Sequence, residues 1–178
     1  MSRIATPAIE SATGATAEVY AQIKKAVGKV SNAYAAVGAL EPDALKVMLQ
    51  ADAVLAASSL SKQDRETVKL VVSSIAGCDY CVAAHSLIGK LAGLQPEALK
   101  QIRHGDLTDD AKRDALIGFV RTLVQGHGTV SDEAFAAIKA AGYTDTQLVD
   151  IGLAIAVITF TNVFNRINDT TVDFPAVD

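Results

Sequence analysis

Apolar positions along this chain recur at three- and four-residue steps, the period of an α-helix, with no strong two-residue alternation of the strand kind. Val19, Ile23, Val27 and Val30 form one such run, with Lys24, Lys25 and Lys29 between them. Pro42 can open a helix at its first turn, and Leu45, Met48, Leu49, Val54 and Leu55 give that helix a wide apolar face. Ser61 with Asp64 predicts a capping pair ahead of a helix from Lys62 to about residue 76, and Gly77 reads as its break. A helix over 78–91 follows, with Gly93 as its stop, then a short one over 96–103. Leu116, Phe119, Val120, Leu123 and Val124 stripe a helix ending at Gly126, and Ser131 caps another that carries Phe135 and Ile138. The last segment, 144–169, is apolar nearly all round, which predicts a buried helix. Its Val, Ile and Thr content would suit a strand, but its length argues for a helix.

The expectation is an all-α fold of about eight helices in short-loop hairpins, one domain over residues 1–178. A faint likeness between 60–85 and 143–168 suggests an internal repeat whose second copy lacks the cysteines and the histidine. Prolines at 7, 42, 96 and 175 leave 97–174 free for long helices.

Composition narrows the class. Half of the 178 residues are hydrophobic, but only 5% are aromatic and none is Trp, which suits close-packed helices rich in Ala, Val, Leu and Ile. The net charge of −4 comes with no basic run, so nothing calls for nucleic acid. The N-terminus has no apolar core of signal-peptide type. The longest apolar stretch, 151–160, falls far below the ~20 residues that span a bilayer and is flanked by Asp150, Asn162 and Asn165. A cytosolic location with no membrane partner is expected. In that reducing compartment a structural disulfide is disfavoured.

Against this background one cluster stands out. Both cysteines and one of three histidines fall within eight residues, as Cys78, Cys81 and His85. At i, i+3 and i+7 they lie within roughly 60° of one helix face. Glu66 precedes Cys78 by twelve residues. On one unbroken helix it would sit about 28 Å from His85 along the axis. With a chain reversal at Gly77, Glu66 lies about 16 Å and His85 about 12 Å below the turn, so the two can meet.

A helix N-terminus lowers a thiol's pKa, a His can take its proton, and a carboxylate can orient that His. Asp79 opposes this slightly, its side chain pointing about 100° away. By the dipole argument the more acidic thiol is Cys78; nearness to His85 favours Cys81. Two thiols one turn apart can turn a sulfenic acid into a disulfide before over-oxidation. A reductant must then close the cycle.

Several other readings of the same residues exist. The cysteines and His85 can be packed core groups. They can supply three zinc ligands, with Glu66, His104 or His127 as a fourth, in a metal-binding or redox-sensing module. A thioredoxin-like motif needs a strand before its helix, and Leu-Val-Val-Ser-Ser-Ile at 70–75 reads as helix. Glu66 and His85 can also serve as acid and base in a lyase or isomerase that does not use the thiols. His104 and His127 stand beside glycines at helix ends, where they can meet the last carbonyls. Asn162 and Asn165 are expected to bond backbone or a neighbouring subunit.

The pattern Glu66-x11-Cys78-x2-Cys81-x3-His85, with Ala-Gly before the first Cys and Ala-Ala before the His, resembles the alkylhydroperoxidase D (AhpD) core. That family belongs to the carboxymuconolactone decarboxylase-like superfamily. The likeness is close over 61–94 and weaker from 28 to 170. It implies an all-helical fold assembled as homo-trimers or homo-hexamers, acting on hydroperoxides. It implies Cys81 as the peroxidatic thiol, Cys78 as the resolving one, and Glu66 with His85 as the proton relay. It also implies a dithiol or protein reductant, in that family a peroxiredoxin and a lipoamide-bearing protein, and calls for no cofactor or metal. Two features depart from the best-known members: Tyr80 stands where they carry a second His between the cysteines, and the motif is central in the chain. Both features resemble the "peroxidase-related" branch. True carboxymuconolactone decarboxylases share the fold without the cysteine pair.

Overall fold

A computed structural model describes residues 1–177. Among the described residues there are nine α-helices, a short 3-10 turn at Ile9–Ser11 and no strand. The helices are α1 (Gly14–Val27), α2 (Asn32–Leu40), α3 (Pro42–Ala57), α4 (Lys62–Ala76), α5 (Asp79–Leu91), α6 (Pro96–His104), α7 (Ala111–Gln125), α8 (Asp132–Ala140) and α9 (Asp145–Asn168). The all-α expectation holds. The extra helix is α2: the apolar run through Val30 is not one element, because Gly28 at φ 85° closes α1 and the chain re-enters a helix at Asn32.

The expected boundaries have visible causes. Pro42 opens α3, and the Ser61 hydroxyl accepts the Asp64 N–H at 3.0 Å at the head of α4. Ser131 caps α8 in the same way, and Thr144 with Gln147 forms a reciprocal capping box at α9.

Helix α4 lies at the centre, packed by α5, α6, α7 and α9. Thr67, Val68, Leu70, Val71, Val72 and Ser73 are all buried on it. A helix enclosed on most sides orients whatever polar groups it carries, since they have nowhere else to go.

Helix α9 departs from expectation. Its inner face (Ile151, Ala154, Ile158, Asn162, Asn165, Asn168) is buried, but Val149, Gly152, Ala156, Phe160, Val163 and Ile167 form an exposed stripe at helical spacing. It is long and apolar enough to cross a membrane, and only 28% of its most apolar window is buried. Its packing on α3, α4 and α5 makes it a core helix of the domain with one uncovered face. The suggested repeat has no counterpart in the fold. Residues 60–85 form a helix, turn and second helix, whereas 143–168 are almost wholly one helix.

Candidate functional site

The turn at Gly77 builds the site. Gly77 adopts the left-handed conformation at φ 61°, ψ 39°. Its N–H reaches the Ser74 carbonyl and the Cys78 N–H reaches the Ser73 carbonyl, both at 3.1 Å, a paired closure of a helix end. Two residues later α5 runs back along α4. Further down the hairpin the helices come close at Gly89. A Cβ there would stand 2.9 Å from a Leu99 methyl and 3.7 Å from Glu66 Cβ.

This close approach brings Glu66 and His85 together. The Glu66 Oε2 and His85 Nδ1 are 2.7 Å apart, and both side chains are largely buried. Burial pushes the Glu66 carboxyl up. The His85 charge and hydrogen bond, with Lys69 and Arg65, outweigh it and leave the group below its ordinary range.

The two cysteines are free thiols, buried, with Sγ atoms 2.6 Å apart. Cys78 caps α5: its sulfur accepts the Cys81 N–H at 3.4 Å. Its S–H donates to Cys81, and this bond pushes Cys78 well up. The same bond is the largest cause holding Cys81 down. Burial opposes it, and Asn165, the His85 charge and Asn162 add to it, leaving Cys81 at about 6. The dipole argument favoured Cys78; the hydrogen bond between the two thiols works the other way. As the capping residue Cys78 spends its S–H on Cys81, and the more acidic thiol is the one nearer His85.

Sequence reasoning missed the asparagines. Asn165 Nδ2 lies 3.3 Å from Cys81 Sγ, and Asn162 Nδ2 lies 3.1 Å from Ser73 Oγ. Through Nδ2 they bond a thiol and a hydroxyl of this chain. Their Oδ1 atoms are buried without a partner. The available signal was Asn at 162, 165 and 168, a helical step apart on one face of an otherwise apolar helix. The Tyr80 hydroxyl donates to Asp173 at 2.7 Å and accepts the Ala33 N–H, and its ring packs edge-on against Phe174.

His104 and His127 are exposed at the ends of α6 and α7, and His104 faces Asp106 at 3.8 Å. Among the described residues no three His, Cys, Asp or Glu side chains are grouped to hold a metal ion. Two cavities adjoin the site. One of about 290 Å³ is lined by Cys78, Asp79, Asn165 and residues of both chain ends. The other, about 260 Å³ and mostly apolar, lies between α4, α7 and α9, with Asn162 in its wall.

Comparison with known proteins agrees with this fold. The family model of the Carboxymuconolactone decarboxylase family matches residues 42–117. No curated protein matches the chain. An alkylhydroperoxidase AhpD core structure, an uncharacterized peroxidase-related protein from Ralstonia eutropha JMP134, superposes with a TM-score of 0.84 at 20% identity, covering 97% of this chain and 92% of that one. A peroxidase-related protein from Silicibacter sp. TM1040 gives a TM-score of 0.81 at 20% identity over 96% and 91%. The debrominase Bmp8 gives 0.80 at 18% identity over 96% and 92%.

Proposed function

We propose that the chain is an AhpD-like member of the carboxymuconolactone decarboxylase superfamily and that it is a thiol-dependent peroxidase acting on hydroperoxides through Cys81. The observation that carries the reading is the convergence of the Glu66–His85 pair, the acidic Cys81 and the adjoining Cys78 thiol on one hairpin.

In the proposed cycle His85, oriented through Nδ1 by Glu66, takes the Cys81 proton on Nε2. The thiolate attacks the terminal peroxide oxygen. The O–O bond breaks, the leaving alkoxide receives the proton from His85, and Cys81 becomes a sulfenic acid. Cys78 then attacks that sulfur. The S–O bond breaks and hydroxide leaves with the Cys78 proton as water, forming the Cys78–Cys81 disulfide. A dithiol or protein reductant returns two electrons. The uncovered apolar stripe of α9 supports a homo-oligomer, trimeric or hexameric as the resemblance implies. The reading extends to a cytoplasmic enzyme.

The deciding measurement is turnover of cumene hydroperoxide with dithiothreitol as reductant. Cys81→Ser should abolish it; an unchanged rate overturns the assignment. Activity on a lactone-like substrate that survives loss of both cysteines would instead favour the acid–base alternative.

A further inference from the structure

Oxidation of Cys81 makes a hydroxyl in a place walled by protein. Cys81 is 2% exposed and lines neither cavity described above. The S–O–H formed on its sulfur therefore needs an acceptor from the protein itself. Asn165 reaches that sulfur. Its Nδ2 stands 3.3 Å from Cys81 Sγ, which leaves Oδ1 as the free end of the amide. That oxygen is buried without a partner, in a residue only 4% exposed. Asn162, one turn earlier on α9, spends its Nδ2 on the Ser73 hydroxyl at 3.1 Å. From this placement we propose that Asn165 is a catalytic residue with two roles: Nδ2 donates to the Cys81 thiolate before oxygen transfer, and Oδ1 accepts the hydroxyl of the Cys81 sulfenic acid after it. The inference rests on the proposed function, which supplies that sulfenic acid.

The amide is held where both roles need it. Asn165 lies in the last turn of α9, and its carbonyl accepts the N–H groups of Asp169 and Thr170. The next residue, Arg166, bonds the Ala76 carbonyl and pins this end of α9 to the turn of the α4–α5 hairpin. An amide offers a donor and an acceptor side by side, which suits a sulfur and the hydroxyl bonded to it. In the transfer step the terminal O–H of the hydroperoxide passes to Cys81 with its hydrogen. The alkoxide leaves with the electron pair of the O–O bond and takes the His85 proton. The transferred hydrogen then points to Oδ1, and an orphaned buried acceptor gains the partner it lacks in the reduced protein. An acceptor with no proton to give favours the neutral sulfenic acid over its anion. The anion is the form that a second hydroperoxide oxidises to a sulfinic acid, releasing an alcohol, and that product is not recovered by thiols. Asn165 thus protects Cys81 until Cys78 attacks.

The test uses a Cys78→Ser background, in which the sulfenic acid has no resolving thiol. Cumene hydroperoxide is added in excess at about pH 9, where Cys81 is ionised, together with dimedone at fixed concentration. Mass spectrometry reads the ratio of sulfinic acid to dimedone adduct on Cys81, a ratio that does not depend on how fast the first oxidation occurs. Asn165→Ala and Asn165→Leu both remove the acceptor, one leaving a gap and one filling it, and circular dichroism checks that each is folded. Each should raise the ratio by about fivefold or more. Asn165→Asp loses the donor but keeps an acceptor, and should stay at or below the parent ratio. An unchanged ratio in whichever of the Ala and Leu variants folds, or an equal rise in Asn165→Asp, overturns the assignment while leaving the peroxidase reading intact. A parent protein that gives neither adduct nor sulfinic acid sinks the proposed function and this inference with it.

Discussion

At the scale of single residues, Cys81 owes its acidity to neighbours that no local pattern announces. A hydrogen bond to a charged group is worth about 1.5–3 kcal/mol. Removing the Asn165 donor should therefore raise the Cys81 pKa by one unit or more. Rates of iodoacetamide alkylation across pH, read on Cys81 in a Cys78→Ser background with and without Asn165→Ala, check this. Glu66 makes a different prediction. Its folded-state pKa is lowered. It therefore stabilises the fold above its unfolded value, ~4.3, and that contribution disappears as pH falls through the folded value. Thermal midpoints measured from pH 7 down to pH 3 should fall less steeply in Glu66→Gln than in the wild type.

Among the elements, the α4–α5 hairpin has the largest consequence for chemistry. Everything in it depends on one residue at positive φ. A side chain at Gly77 would meet the left-handed penalty of about 1–2 kcal/mol, and its Cβ would stand 3.1 Å from an Arg166 nitrogen that now bonds the Ala76 carbonyl. Gly77→Ala should lower the urea midpoint by an amount equal to about 1–2 kcal/mol. The hairpin was legible because a glycine between two apolar stripes is a strong stop signal, and the motif spacing made sense only with a reversal there. Helix α2 was not legible. Its Ala-rich sequence carries little amphipathic contrast, so the Gly28 break alone could not separate it from α1.

Over the whole molecule, the uncovered face of α9 is the feature a single copy leaves unexplained. Six positions from Val149 to Ile167 present a narrow apolar stripe along the helix. Placing a charge in it should cost association far more than folding. Ile167→Glu is expected to shift the sedimentation coefficient toward the monomer while leaving the helical circular dichroism unchanged. A wild-type protein that already sediments as a monomer would remove the oligomer from the proposal.

What the sequence determined alone was local: the helical period, the caps at Ser61 and Ser131, the stop at Gly77, and four reactive residues at fixed spacing. These depend on backbone hydrogen bonds four residues long and on side chains one turn apart, so a linear reading contains them. Tertiary structure decided which thiol is acidic, that Asn165 reaches Cys81 across 84 residues, and that the two chain ends close a cleft over Cys78. It also decided that α9 keeps one face bare. Those outcomes follow from how helices pack around α4, and packing is set by the summed shape of distant surfaces that no local period encodes.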